Sequence, residues 1–336
     1  MGLAVLSRPE RINALNLDML EPLEGALQRW GTDPGVACVV IRGERERGFC
    51  AGGDVRTVCE KLAEEGPAYG EAAFSAEYRI DHRIHVFQKP VVTLGHGAVM
   101  GAGLGLFVAG SLRILAPGSR LAMPEVGIGL FPDCAASYFF GRLPDGIGRF
   151  LALTGSAFGA EDACALGLAD RIVAQRDWPE VEEQLAAGIS PGTIAKQLAA
   201  EPAFAPLEAR RERVRAIAQS DDFATAPAWR DAGSDPWFAQ AEEGMRKACP
   251  TSLRIADEAL RRGARASLAD CFRQDLTLVV QCMARRNFAE GVRARLIDRD
   301  HEARWDPPEL ADVDPDEVRA HFEPPWPGAH PLAGLR

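Results

Sequence analysis

The sequence predicts an α/β fold with largely parallel strands and a helical C-terminal region. Continuous apolar runs, typical of strands buried on both faces, occur at 36–41 and 91–94. Each run leads into a glycine-containing turn and then into a helix-forming segment. After about residue 178 the chain becomes rich in alanine, glutamate and arginine and has no further strand-like run. We therefore expect a core domain over 1–178, with a helical region and an extended tail over 179–336.

The N-terminal part alternates between strands and helices. Residues 2–7 predict a short first strand, and Asn16 is the predicted N-cap of a helix whose leucines recur at helical spacing. The run at 36–41 predicts a buried strand, and a helix should follow the glycine turn at 50–54. A further helix is predicted over 74–87, before the strand that begins at Val91.

The stretch 91–133 is the predicted centre of the protein. It combines a strand, a glycine-dense turn, a helix of small residues, a second strand and two isolated acids, Glu125 and Asp133. Each acid follows a proline and has apolar neighbours, and desolvation there would raise its pKa towards that of a useful general base. Two interpretations stay open: a catalytic acid, or structural roles in which Asp133 caps a helix starting at Ala135 and Glu125 accepts turn amides.

The two glycine turns, at 50–54 and 95–103, are expected to meet over one ligand. In such folds ligands bind where strands end in glycine turns that face helix N-termini. Two backbone N–H groups that converge on one oxygen form an oxyanion hole. The alternative is that the glycines only allow a helix to pack closely on a strand. The small residues that would let a carbonyl group approach are Gly52, Gly53, Gly101, Ala102 and Gly103.

Other motifs are weaker. The run Gly101–Gly105 lacks the last glycine of a dinucleotide-binding G-x-G-x-x-G. The G-x-S-x-G match at 188–192 follows a helical segment, and Pro191 has no N–H for an oxyanion hole. No C-x-x-C or H-E-x-x-H pattern occurs, so no metal site is predicted. His96, beside the glycine turn, is expected to make a structural hydrogen bond.

Composition limits the partners. A net charge of −10 argues against a broad nucleic-acid-binding face. An anionic cofactor could still be held by a local arginine cluster, although solvated surface charge is the simpler interpretation. Eight scattered cysteines predict free thiols in a reducing cytoplasm, and the longest apolar stretch, 98–109, is too short and glycine-broken to cross a bilayer. The arginine cluster that could hold an anionic cofactor comprises Arg42, Arg45, Arg47 and Arg56.

Several motifs occur together in this chain. They are Phe49–Asp54 (FCAGGD), Lys89-Pro90, His96-Gly97, Met100–Gly103 and Met123–Asp133. On these motifs the sequence resembles the crotonase (enoyl-CoA hydratase/isomerase) superfamily. Within it, residues 51–56, 125–133, 250–253 and 288–298 resemble the 3-hydroxyisobutyryl-CoA hydrolase branch, and the resemblance covers nearly the whole chain.

The resemblance implies a crotonase-like core of repeated ββα units that holds a coenzyme A thioester between the two glycine turns. It implies no separate cofactor, because coenzyme A is part of the substrate, and it leaves a homo-oligomer possible. The N–H groups of Gly53 and Ala102 would form the oxyanion hole, although the family usually has glycine in place of Ala102. The other substrate-binding residues implied are Ala51, Asp54 and Gly101, with Glu77 in the acyl pocket.

The resemblance also implies the chemistry. Hydratases of the superfamily carry a glutamate just after the glycine triplet, where this chain has Gly105. Hydrolysis of a short β-hydroxyacyl-CoA thioester, foremost 3-hydroxyisobutyryl-CoA in valine breakdown, is therefore favoured. Glu125 would be the nucleophile or the base that activates water, and Asp133 would assist proton transfer to the departing thiolate or orient the water. The alternatives are an enoyl-CoA hydratase or isomerase, and a non-catalytic protein that binds CoA thioesters.

Overall fold

The strands form two sheets. The computed structural model describes residues 1–44, 47–198, 205–230 and 232–336. In chain order the strands are β1 (Gly2–Leu6), β2 (Val39–Gly43), β3 (Gly48–Cys50), β4 (Val91–Gly95), β5 (Ala98–Met100), β6 (Leu112–Leu115), β7 (Arg120–Ala122), β8 (Phe158–Gly159) and β9 (Arg171–Ile172). Strands β1, β2, β4, β6 and β9 form one sheet in that order, with every neighbouring pair parallel. Strands β3, β5, β7 and β8 form the other, where only β7 and β8 run antiparallel.

Helices dominate the second half of the chain, as predicted. Residues Arg293–Ile297 form one π-helical turn, which continues the α-helix Arg286–Val292. In chain order the helices are α1 (Leu17–Thr32), α2 (Val55–Glu65), α3 (Ala68–His85), α4 (Ala102–Val108), α5 (Ala136–Phe139), α6 (Ile147–Thr154), α7 (Ala160–Ala165), α8 (Trp178–Ala186), α9 (Pro191–Gln197), α10 (Pro206–Ala218), α11 (Pro236–Lys247), α12 (Pro250–Gly263), α13 (Leu268–Met283), α14 (Arg286–Val292) and α15 (Pro315–His321). Among the described residues, no helix has the length and apolar content needed to cross a membrane.

The chain divides into two compact units, each made of distant segments. The first unit comprises 1–53, 79–122 and 157–209 and contains both sheets. The second comprises 54–78, 123–156 and 210–336, and its described elements are helices and short turns. The sequence-based domains, 1–178 and 179–336, follow composition instead, and that division stays a prediction.

Burial of the central strands organises the first unit. Side chains from β2, β4 and β6 pack with Trp178 in one apolar cluster. Asn16 caps α1 as predicted, since its side chain accepts a hydrogen bond from the Met19 N–H at 3.2 Å. The strand predicted over 36–41 begins only at Val39, because Val39 is the residue that pairs with the start of β1, Gly2.

One predicted boundary in the second unit was wrong, and the tail contains a short helix that was not predicted. The helix predicted from residue 74 begins at Ala68, because Gly66, at φ +82°, ends α2 and Pro67 lets the next helix start at once. The tail was predicted to be mostly extended, yet it contains α15. That helix starts at Pro315, with the Asp314 side chain accepting from the Asp316 N–H at 2.8 Å.

Gly103 marks the closest approach of α4 to β3. A β-carbon at this position would lie 2.6 Å from both the Cβ and the carbonyl oxygen of Cys50. The obstacle includes backbone, which cannot rotate away. Close packing of a helix on a strand, the simpler interpretation of the glycines, therefore holds at this one position.

We expect Gly103→Ala to destabilise the protein by about 1–3 kcal/mol, the usual cost of forcing extra volume into a packed core. The matched control is Gly192→Ala in α9 of the same unit, where the nearest atom to a β-carbon is 4.0 Å away. That variant should gain about 0.4–1 kcal/mol through the unfolded state. Chemical denaturation measures both, and an unchanged unfolding midpoint for Gly103→Ala would contradict the packing argument.

Candidate active site

The two glycine turns of the first unit lie side by side, as the sequence predicted. A β-carbon at Gly52 would lie 3.2 Å from the Met100 carbonyl oxygen and 3.6 Å from the Ala102 nitrogen. Gly52 itself has φ +107°, a value that side chains rarely tolerate. Because Gly52 has no side chain, nothing stands between the backbones of the two turns at this point.

Ala102 is the first residue of α4, so its N–H belongs to the helix start, where amides lack intrahelical acceptors. Gly101 before it adopts φ 53° and ψ −129°, a conformation open essentially to glycine. The Gly101 N–H is already bonded to the Ala122 carbonyl at 2.9 Å. In the other turn, the carbonyl of Gly52 accepts from Leu15 at 2.8 Å, next to Gly53. The roles of the Gly53 and Ala102 N–H groups as donors to a substrate oxygen stay predictions.

The second unit contains a cluster of buried acids, which we call the acid cluster: Glu77, Glu125, Asp133 and Asp275. All four side chains are buried, and Asp275 is fully inaccessible to solvent. The Tyr78 hydroxyl donates a hydrogen bond to Asp133 Oδ2 at 2.5 Å. The Cys134 thiol donates to Glu77 Oε1 at 3.0 Å. The two predicted catalytic acids and the predicted acyl-pocket acid are therefore brought together.

Backbone turns present the two catalytic candidates. Glu125 begins a one-turn 3₁₀ helix, Glu125–Ile128, which ends at Gly129 with φ +73°. A side chain at Gly129 would collide with the Asn287 carbonyl, so glycine is required there for both reasons. Asp133 precedes two residues in the left-handed conformation, Cys134 at φ 53° and Ala135 at φ 59°.

The helix-capping interpretation of Asp133 was wrong. Helix α5 begins at Ala136, its N-cap is Ala135, and no side chain caps it. The Asp133 carboxylate is instead used by Tyr78. Glu125 accepts a hydrogen bond from its own backbone N–H, but Oε2 has no hydrogen-bond partner among the described residues. An unpaired, buried carboxyl oxygen of this kind is unusual in a purely structural residue.

Burial sets the protonation of the acid cluster. It raises the pKa of Glu125 well above the ordinary value, and the negative charge of Asp133 adds to the effect. Burial and then Asp133 raise the pKa of Glu77 to about 8. Burial also raises the pKa of Asp133, but the hydrogen bond from Tyr78 opposes it and the result is about 6. Near neutral pH, Asp133 is thus the acid that carries the charge, while Glu77 and Glu125 hold protons.

Sequence reasoning missed three members of this arrangement: Tyr78, Cys134 and Asp275. Asp275 lies on α13, where its carboxylate Oδ2 accepts from the Ala135 N–H at 2.7 Å. A usable signal existed, because Asp275 is three residues after Phe272 and four before Val279, on the buried face of the helix. For Tyr78 and Cys134, adjacency to Glu77 and Asp133 was the available signal.

Other predicted residues have structural partners. Asp54 caps α2, with its Oδ1 accepting from the Thr57 N–H at 3.2 Å. The N–H of Ala51, an exposed residue, bonds to the Ile12 carbonyl at 2.9 Å. Buried His96 packs edge-on against Trp178, with ring centroids 5.5 Å apart. None of these contacts tests a role in substrate binding, so those roles stay predictions.

Two arginines of the predicted cluster, Arg42 and Arg56, form ion pairs. Arg42 pairs with Glu182 at 2.9 Å in the first unit. Arg56 pairs with Glu60 at 2.9 Å in the second. Arg45 lies outside the described residues. These pairs favour the simpler interpretation, surface charge, for Arg42 and Arg56.

Comparison with known proteins decides the family. A family model described as enoyl-CoA hydratase/isomerase matches residues 1–322. The chain belongs to the enoyl-CoA hydratase/isomerase family. This confirms the predicted superfamily, and with it the crotonase-like fold with a helical C-terminal region.

Relatives of this family member point to one branch. The chain is 35% identical to "3-hydroxyisobutyryl-CoA hydrolase, mitochondrial" of Gallus gallus, covering 96% of this chain and 86% of the relative. It is 36% identical to the protein of the same name from Danio rerio, covering 93% and 84%. The structure is similar to a crystal structure titled as a carnitinyl-CoA dehydratase from Mycobacterium thermoresistibile, with TM-score 0.89, 33% identity and coverage of 97% and 94%.

The raised pKa of Glu77 predicts a pH-dependent loss of stability. Between pH 4.5 and about 8 the unfolded chain has released this proton and the folded protein still holds it, so folding becomes less favourable as pH rises through that window. Glu77→Gln keeps an acceptor for Cys134 and has no proton to lose. We expect its free energy of unfolding to fall less than that of the wild type between about pH 5 and about pH 9.

Urea denaturation at both pH values measures this difference. Glu64→Gln, an exposed substitution in α2, is the control and should follow the wild type. Parallel loss of stability in Glu77→Gln and the wild type would show that Glu77 titrates normally.

Proposed function

We propose that this protein is an acyl-CoA thioester hydrolase that converts 3-hydroxyisobutyryl-CoA to 3-hydroxyisobutyrate and CoA. The observation that carries the proposal is the acid cluster, in which Glu125 and Asp133 are buried and the charge of Asp133 helps to raise the pKa of Glu125. The position where hydratases have a second glutamate is Gly105, a buried glycine on α4. The names of the Gallus gallus and Danio rerio relatives support the same reaction and the same substrate.

Thioester hydrolysis first needs stabilisation of an oxyanion. When the carbonyl carbon is attacked, its oxygen becomes negatively charged, and fixed backbone donors stabilise that charge. In the first unit, the N–H of Ala102 at the start of α4 and the N–H of Gly53 are the proposed donors. Loss of one such donor costs about 3–4 kcal/mol in known enzymes, so the pair would supply a large share of the rate acceleration.

Glu125 and Asp133 are the proposed donors and acceptors of the protons that move during hydrolysis. Near neutral pH the cluster's charge rests on Asp133, and Glu125 is protonated. Transfer of the Glu125 proton to Asp133 would leave Glu125 as an ionised nucleophile or base and Asp133 as an acid. Asp133 can then protonate the departing CoA thiolate, which balances the step. If Glu125 attacks directly, water hydrolyses the resulting anhydride; if it acts as a base, water attacks the thioester itself.

Glu77 is the proposed contact for the substrate's β-hydroxyl group. Its pKa of about 8 keeps it mostly protonated near neutral pH, and its Oε1 already accepts from Cys134. A neutral carboxyl group can both donate to and accept from a hydroxyl group. This residue therefore favours a hydroxyacyl over a simple acyl thioester.

The first test is CoA release from 3-hydroxyisobutyryl-CoA and 3-hydroxypropionyl-CoA, followed with a thiol reagent. Wild type should release CoA, and Glu125→Gln and Asp133→Asn should each lower kcat by about 10²–10⁴-fold, the usual contribution of a positioned acid or base. Full activity in Glu125→Gln would refute its assigned role even if the hydrolase activity were real.

A second function has one observation in its favour: the carnitinyl-CoA dehydratase title of the similar solved structure. The same assay should therefore include crotonyl-CoA, with hydration followed by loss of enoyl absorbance. We expect no appreciable hydration, because Gly105 cannot act as an acid or base. Hydration of crotonyl-CoA without CoA release from either hydroxyacyl thioester would replace the hydrolase proposal with a hydratase.

The hydrogen bond from Tyr78 to Asp133 predicts how kcat/KM depends on pH. Its hydrogen bond lowers the pKa of Asp133, so Tyr78→Phe should raise that pKa above about 6. Because catalysis starts from ionised Asp133, the acidic limb of the kcat/KM profile should move to higher pH. Tyr138→Phe is the control. The Arg142 guanidinium lies over the Tyr138 ring, 3.8 Å from its centroid, and this substitution should leave the acidic limb in place. An unshifted limb in Tyr78→Phe would exclude Asp133 as the titrating group.

The setting of the enzyme also remains a proposal. A cytoplasmic location rests on the free cysteines of the sequence, whereas the names of both relatives include the word mitochondrial. A homo-oligomer, the absence of a nucleic-acid or membrane partner and the absence of a separate cofactor stay predictions as well. Subcellular fractionation tests the location, and light scattering of the purified protein tests for a homo-oligomer.

A further inference from the structure

Asp275 is a buried acid on α13 that the mechanism above does not use. Its Oδ2 accepts a hydrogen bond from the Ala135 N–H at 2.7 Å. Its Oδ1 has no hydrogen-bond partner in the part of the chain that the structure describes, and the residue is fully buried. A buried carboxyl group with one free oxygen is costly unless it holds a proton.

The bond made by Asp275 holds a strained turn. Cys134 and Ala135 both have positive φ, a conformation that is unfavourable for residues with a β-carbon. Strain of this kind persists only where the surroundings hold the backbone. The turn follows Asp133 directly, so anchoring the turn at Ala135 also restrains the backbone that carries the Asp133 side chain.

The groups facing Asp275 favour its neutral form. Its charged or titratable neighbours are Asp133, Tyr78 on α3 and Cys271 on its own helix, and none of these is a cation. Burial, then the charge of Asp133, raise the pKa of Asp275 well above its ordinary value. Asp133 can therefore be ionised while Asp275 stays protonated.

We propose that Asp275 is a positioning residue for the hydrolysis: in its neutral form it fixes the Cys134–Ala135 turn and thereby aims the Asp133 carboxylate at Tyr78. The proposal rests on the proposed function for its kinetic consequences. It assigns a part of the catalytic geometry to the C-terminal region of the chain.

Three variants test the proposal. Asp275→Asn keeps a neutral acceptor for the Ala135 N–H and should retain most of kcat, with an unshifted pH profile. Asp275→Leu has similar volume but no acceptor, and loss of a buried hydrogen bond worth about 1–3 kcal/mol should lower kcat by about 5–150-fold with little change in KM. Asp270→Asn, an exposed change on the same helix, is the control for substitution on α13. A downward shift of the acidic limb in Asp275→Asn would mean that Asp275 is charged and would overturn the proposal.

A double-mutant cycle separates positioning from general stability. Tyr78→Phe and Asp275→Leu act on the same carboxylate, so their effects on kcat should be strongly non-additive. Additive effects would reduce Asp275 to a structural residue of the core. Thermal melting of each variant, with kcat measured well below the transition, excludes unfolding as the cause.

A measurement without turnover distinguishes this proposal from the proposed function. Infrared spectra at neutral pH should contain the carbonyl stretch of a protonated Asp275 carboxyl group, which is absent from Asp275→Asn and present in Asp270→Asn. If the band is present but no β-hydroxyacyl-CoA is hydrolysed, the proposed function fails and the neutral state of Asp275 stands. If hydrolysis is normal and the band is missing, the inference fails alone.

Discussion

The second unit depends on the burial of four carboxyl groups in one place without a neutralising cation among the groups that act on them. Charging all of them would cost far more than the stability of a typical domain. The structure solves this by distributing protons unequally: one tyrosine hydroxyl stabilises the charge on Asp133, and its neighbours remain neutral. Differences in protonation between neighbouring acids are what acid–base chemistry uses, so the same burial that threatens stability prepares the site for catalysis.

In the first unit, the two glycine turns depend on residues without side chains. Gly52 and Gly101 have backbone conformations that few other residues adopt, and Gly103 lies too close to Cys50 for a β-carbon. In the proposed site, amide groups rather than side chains would face the ligand. Ala102 is compatible with this arrangement because the donor is its backbone N–H, and helix α4 tolerates an alanine at its first position.

Local sequence predicted much of this architecture, and long-range packing decided the rest. The cap at Asn16, the strand at Val91 and the adjoining glycine turns depend on neighbouring residues, and pattern reasoning found them. The start of β2 at Val39 depends on its partner strand, which the run at 36–41 does not reveal. In the site, the residue pattern identified Glu125 and Asp133 as candidates, and resemblance to the family added Glu77. The hydrogen bond between the Ala135 N–H and Asp275 could not be predicted, because it joins residues 140 positions apart.

That separation has a consequence for how the protein is made. During synthesis the chain emerges from its N-terminus, so Glu77, Glu125 and Asp133 all leave the ribosome long before α13 does. Loops of this length close at an entropic cost that must be met before the long-range contact is rewarded, so such contacts tend to form late in folding. The turn beside Asp133 cannot gain its anchor until helix α13 has been synthesised. A nascent chain that already contains every family motif up to Asp133 would therefore still lack a finished active site.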